Sequence, residues 1–399
     1  MFIEIVLAFL AGSFAGIFTG LIPGIHINLI SILLLTISPM LLKYTNPVIL
    51  ACFIISMAVT HTFLDFIPGI FLGAPDAETA LAILPGHRML LEGKAFEAVK
   101  ITVIGSLGSL LLAVMFAPIF LLLYPLVYGF LKSYIGYLLI AICLFMILKD
   151  KKKVWNLVVF MMSGVLGLLV LNMPNLDDPL LPLLSGLFGT SMLTISFFDK
   201  VKIPKQSFEE TLELPKSTIA QALSAGTFAG SLTSFFPGLG PAQGAVLAQQ
   251  FTKNIGDKGF MIIVGAIGTV NFILSLITFY TIEKARNGAV IVIKELLEMI
   301  SISELLVFFS VVLLVGGSAT FLTLKIAKIF ARVMEKLNYQ ITIVSVFSLI
   351  CVVVFLFSGF MGLLVLATAT FIGIIPGELG VARNHSMGCL LLPVILYLV

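Results

Sequence analysis

Apolar residues in this chain come in long unbroken blocks, and the polar residues between them are few and clustered. Residues Ile5–Leu42, Ile101–Leu131 and Ile341–Gly377 contain no formally charged side chain. Val154–Met173 and Leu305–Leu324 are blocks of a different size, each about one helix long, since roughly 20 residues carry a helix across the bilayer core. Walking the chain in this way predicts about ten to twelve membrane segments, some of which do not cross fully. No stretch alternates polar and apolar residues in the manner of a barrel strand. The expected fold class is therefore an all-α polytopic integral membrane protein.

The pattern repeats. Ala11-Gly12-Ser13-Phe14-Ala15-Gly16, followed by Thr19 and Pro23-Gly24, matches Ala225-Gly226-Thr227-Phe228-Ala229-Gly230, followed by Thr233 and Pro237-Gly238, without a gap at an offset of 214 residues. Val103–Ser106 resembles Val315–Ser318 at an offset of 212, and Ala74–Leu81 sits where Ala285–Val292 does in the second copy. The one long polar connection, Asp199–Lys216 with Pro204 and Pro215, divides residues 1–198 from 217–399. Two repeated transmembrane halves, 1–198 and 217–399, joined by a polar linker at 199–216 are expected. Inverted repeats are the commoner solution where helices are broken, and they are the expected arrangement here.

Composition sharpens the class. Hydrophobic residues make up 60% of the chain and charged residues 11%, against about 25% charge in a soluble domain. The net charge of +3 says little, but its placement says more. Lys149–Lys153 and Lys200–Lys216 form two lysine-rich loops, and the turn between the intervening apolar segments holds Asp177 and Asp178. The positive-inside rule places both lysine loops in the cytoplasm of a multi-pass protein of the cell membrane. Lys325, Lys328, Arg332 and Lys336 are expected on that side as well. The start, Met1-Phe2-Ile3-Glu4, lacks a basic n-region, so the first helix is expected to stay in the bilayer. Cys52, Cys143, Cys351 and Cys389 are far apart in apolar sequence and read as buried thiols, with no metal site and no cofactor.

Candidate chemistry gathers at the breaks. Gly12, Gly16, Gly226 and Gly230 recur every four residues, a stripe that lets a neighbouring helix approach closely. Pro-Gly interrupts each helix, and backbone groups freed in lipid are costly unless they line a polar cavity or sit against protein. The N–H groups that start the next half-helix carry partial positive charge suited to a carboxylate or phosphate. Candidate substrate-binding residues are therefore Pro23, Gly24, His26 and Asn28 at the first break. At the second they are Pro237, Gly238, Gly240 and Gln243. Intramembrane acids are costly and often functional, so Asp65, Asp76 and Glu78 are candidates for coupling or gating by Na+ or H+. Arg286 and Asn287 hold the comparable place in the second half. A polar island at Pro376-Gly377-Glu378 and Arg383-Asn384-His385 is expected to close with a Glu378–Arg383 ion pair.

These residues resemble the large permease subunit of the tripartite tricarboxylate transporters, the TctA-type family, and in particular its shorter archaeal-type members. The likeness is carried by Gly16–Gly24, by Gly73-Ala74-Pro75 through Gly86 and Gly93-Lys94-Ala95, and by Gly230–Gly238 with Leu239-Gly240-Pro241. Pro85 departs from it, standing where an acidic residue is expected before Gly86. The resemblance implies a duplicated α-helical carrier that imports carboxylates on an ion gradient. It also implies help from a small membrane subunit and an extracytoplasmic binding protein. Polyprenyl-phosphate transporters have similar Pro-Gly breaks, so an isoprenoid phosphate is the rival cargo.

The leading function is secondary active transport of an organic anion, a di- or tricarboxylate, held between the two Pro-Gly loops. Its partners are that small anion, the lipid bilayer and, as a candidate assembly, a homodimer; nothing points to nucleic acid. His26, His61, His87 and His385 lack metalloprotease spacing. Asp177-Asp178 lacks the third acid of a prenyltransferase motif, and no serine elbow or nucleotide-binding loop is present, all of which argues against an enzyme.

Overall fold

A computed structural model describes residues 2–22, 27–74, 79–131, 134–149, 151–174, 176, 178–198, 203–208, 212, 214–235, 239–252, 255–285 and 287–399. Every regular element among them is helical. The first half comprises α1 (Phe2–Leu21), α2 (Ile27–Leu41), α3 (Pro47–Leu64), α4 (Phe66–Leu72), α5 (Ile83–Leu91) and α6 (Ala95–Met115). It continues through α7 (Ala117–Leu131), α8 (Ile135–Lys149) and α9 (Lys153–Leu171). It closes with a helix in which α10 (Leu180–Leu184) and α11 (Ser191–Phe198) flank a wide π turn at Ser185–Thr190. The second half comprises α12 (Lys216–Phe235), α13 (Pro241–Phe251), α14 (Gly256–Ile282), α15 (Gly288–Leu297), α16 (Ile302–Met334), α17 (Tyr339–Leu379) and α18 (Gly388–Leu398). Among the described residues, eight helices are long and apolar enough to span a bilayer, and three shorter apolar ones accompany them. Those eleven segments agree with the number expected from the sequence, and the protein is an all-α polytopic membrane protein.

Local sequence explains where the helices start. Asn46 accepts the Ile49 N–H at 3.0 Å with Pro47 in the first helical position of α3. Ser301 and Glu304 form a reciprocal capping box at the start of α16. The small residues explain how the helices meet. A Cβ on Gly16 would lie 2.6 Å from the Met57 carbonyl, and one on Gly230 would lie 2.7 Å from Val270 Cβ. Gly12, Gly16 and Gly20 pass Ser56, Thr60 and Leu64 in order, so α1 and α3 run parallel; Gly226 and Gly230 pass Ala266 and Val270, so α12 and α14 do too. The glycine stripes are helix-packing surfaces.

The described linker residues 203–208 are docked on the helices. Gln206 accepts from the Ala95 N–H at the start of α6 (3.1 Å), and its own N–H donates to Glu335 just past the end of α16 (2.6 Å). Lys328 and Arg332 of α16 stack over Phe96 and Phe208 at 5.0 and 5.6 Å. α6 therefore leaves the linker face and α16 arrives at it, with Gly316 packed on Leu110 between. These are the two helices that correspond at an offset of 212 residues. The same holds elsewhere. α14 begins at this face, where Lys258 pairs with Glu97, whereas α3 and α4 end there, with Phe71 5.8 Å from Phe330.

α17 starts beside α5 through the Tyr339–His87 bond, turns at Gly359 (φ 63°) and returns, so that Lys152 at the start of α9 donates to the Leu379 carbonyl at its end (2.7 Å). Gly167 of α9 packs on the Cys389 carbonyl of α18, and Gly373 of α17 packs on the Leu187 carbonyl of the Leu180–Phe198 helix. Equivalent helices run in opposite directions, which is the geometry of an inverted repeat. The halves also interlock, since α6 packs on α14 and α16 packs on α3.

Candidate functional site

α1 ends at Leu21 and α12 at Phe235; α2 resumes at Ile27 and α13 at Pro241. The described helices on either side of each interruption keep the 214-residue offset of the sequence repeat. Pro23, Gly24, His26, Pro237 and Gly238 lie between these ends, outside the described residues. Asp76, Glu78 and Arg286 also lie outside them.

Just inside each helix end is a buried polar bond that the sequence reading did not single out. Thr19 Oγ1 lies 3.1 Å from His61 Nδ1 on α3, and Thr233 Oγ1 lies 3.0 Å from Asn271 Nδ2 on α14. Each threonine hydroxyl donates back to its own helix, to the Gly16 and Gly230 carbonyls at 3.2 and 2.9 Å. Each oxygen is therefore placed to accept from its partner, which suits a His61 proton on Nδ1. In the second half the chain extends further. Asn287 Nδ2 donates to Asn271 Oδ1 (3.3 Å), while Asn287 Oδ1 caps α15 by accepting the Ala289 N–H (3.0 Å).

The remaining candidates fall around these bonds. Asp65 is buried one helical turn beyond His61, at the junction of α3 and α4, and its backbone N–H donates to the His61 carbonyl. In the register set by Thr19–His61 and Thr233–Asn271, its counterpart is the buried Ser275. Gly240 is the N-cap of α13, and buried Gln243 folds its Oε1 over it, 2.9 Å from where a Cβ would be. Asn28 is the second residue of α2. α2 packs on α15, which Asn287 opens, and α13 packs on the 3-10 turn Ala80–Ala82. Each helix that follows a break thus meets a segment of the opposite half. The structure brings Gly240 to Gln243 and ties Asn287 to the base of α12; it adds His61, Asn271, Thr19 and Thr233.

A separate cavity of about 690 Å³ opens among the ends of α5, α13, α14 and α17, on the face that holds the linker. Arg88, Lys149, Asp257 and Arg383 are the charged residues on its wall. Arg88 and Asp257 pair with each other at 2.7 Å on the exposed rim. The expected Glu378–Arg383 pair is not formed. Glu378 is exposed and outside the cavity, because α17 ends at Leu379 and Gly380 (φ 58°) turns the chain away. The Arg383 guanidinium lies instead beside Gly377, and burial lowers its pKa from the usual arginine value.

Two comparisons with known proteins found likenesses. A family model described as the tripartite tricarboxylate transporter TctA family matches residues 6–388. An uncharacterized protein of Methanocaldococcus jannaschii is 29% identical over 399 residues, covering 97% of each chain. No solved structure matches.

Proposed function

We propose, from the premise that this chain belongs to the tripartite tricarboxylate transporter TctA family, that it is a secondary carrier moving a di- or tricarboxylate on an ion gradient. The family is one of membrane transporters, and the chain is a multi-pass membrane protein. The finer reading rests on one observation. Two helices that run in opposite directions stop at equivalent places in apolar sequence, each beside a buried polar bond, Thr19–His61 or Thr233–Asn271. Helix ends in a bilayer are tolerated where they border protein or a polar cavity, and paired ends of opposed sense form a carrier's binding site.

In this reading Pro23, Gly24, His26 and Asn28 with Pro237, Gly238, Gly240 and Gln243 hold the carboxylates. His61 and Asp65 carry the coupling proton, with Asp76 and Glu78 as further acids of the same half. Arg286 and Asn287 serve the opposite loop. The lysine-bearing linker face is the cytoplasmic one.

An apolar groove between α1, α2 and α3 bears on the rival cargo. Its charged residue is Glu4, the wrong sign for a phosphate headgroup, so this lipid-side groove offers the rival cargo no headgroup site. The test is uptake of labelled citrate and succinate into proteoliposomes under imposed proton or sodium gradients. Gradient-driven accumulation is expected; movement of isoprenyl phosphate alone would overturn the assignment.

A further inference from the structure

The cavity at the linker face takes no part in the carrier site just described, and its wall is unbalanced. Arg88 is neutralised by Asp257. Lys149 reaches the cavity rim and lies 5.7 Å from the ring of Phe145. Arg383 has no hydrogen bond or ion pair with the described residues, although it is largely enclosed. A guanidinium held out of water without a carboxylate is costly, and burial already works against its charge. Its neighbours leave room for an occupant. Gly377 beside it has no side chain, and a Cβ there would still stand 3.5 Å from Arg383 Nη2. Asn384 donates its Nδ2 to Gln249 Oε1 at 3.3 Å, so the wall beside Arg383 is neutral and puts no competing carboxylate next to the guanidinium. The volume falls inside the roughly 300–1,000 Å³ range of small-molecule sites.

We infer that this cavity is a second anion site, a vestibule on the linker face that takes a small di- or tricarboxylate with one carboxylate forked on Arg383. The inference rests on the carboxylate-carrier reading and deepens it by giving the cargo a way station between the broken helices and one aqueous face. Arg383 presents paired N–H donors that match a carboxylate edge to edge. A second carboxylate faces Lys149 and the Arg88 rim. Gln249 and Asn384 form the neutral wall, joining α13 of the broken-helix region to the turn after α17. A cargo leaving α13 therefore meets this cavity next.

The experiment compares wild type, R383Q, R383K and N384D. Citrate and succinate binding is read by thermal shift in detergent, and gradient-driven uptake is read in proteoliposomes. Losing one charge-assisted forked contact is expected to weaken binding about ten- to a hundredfold. R383K should restore part of it, and N384D should weaken it by setting a carboxylate beside Arg383. Unliganded melting reports whether each variant folds; if R383Q does not, N384D carries the test. Wild-type uptake with unchanged affinity in R383Q and N384D overturns the vestibule while leaving the carrier intact. Carboxylate binding that is lost in R383Q, with no uptake by wild type, keeps the vestibule and overturns the carrier.

Discussion

The two helix breaks share a scaffold and differ in chemistry. Beside the first stand Thr19, His61 and Asp65; at the equivalent places beside the second stand Thr233, Asn271 and Ser275, with Asn287 completing the chain of bonds. The hydroxyl is the same in both, bonded the same way to its own helix and to the third helix of its half. The partner is an imidazole in one and an amide in the other. A histidine and a carboxylate take up and release protons near neutral pH or when their surroundings change, whereas an amide and a hydroxyl of serine do not. The geometry occurs twice, and at these equivalent places, among the described residues, the ionisable side chains belong to the first copy.

Changes that erase this difference should have the largest effect. H61N gives the first half the amide of the second, and D65N removes its carboxylate charge. Each is expected to lower gradient-driven accumulation about a hundredfold, the scale of a lost proton-transfer group, while substrate-for-substrate exchange across proteoliposomes persists. N271A should leave gradient coupling in place, which sharpens the contrast.

Changes to the shared scaffold should act alike in both halves. Gly16→Leu and Gly230→Leu force side chains into helix contacts with no room for a Cβ, costing about 1–3 kcal/mol or more by overpacking; matched drops in detergent melting temperature would check this. N271A strands the Thr233 acceptor and the Asn287 donor, at about 1–3 kcal/mol. T19V and T233V should be the mildest, about 1 kcal/mol each, and equal. A large inequality between them would mean that the two bonds are not structural equivalents.

Much of this was readable in the sequence because small residues and prolines act locally. The 214-residue offset of the two Pro-Gly motifs marked both helix interruptions. The partners across the helices were hidden. Thr19 to His61 spans 42 residues but Thr233 to Asn271 spans 38, so no gapless alignment joins them, and His and Asn do not look alike. The uncharged run ending at Gly377 concealed the turn at Gly359, since apolar sequence looks the same whichever way the chain runs. Glu378 and Arg383 are close in sequence, yet Gly380 turns the chain between them and sends the arginine to a cavity that no local pattern records.

The most direct measurement is proton movement during transport. Vesicles holding wild type, H61N or N271A are loaded with a lumenal pH dye, clamped at zero voltage and given external succinate. The account predicts substrate-dependent lumenal acidification with wild type and N271A and none with H61N, although H61N still exchanges labelled substrate. Acidification by H61N equal to wild type would contradict the assignment of coupling to the first half.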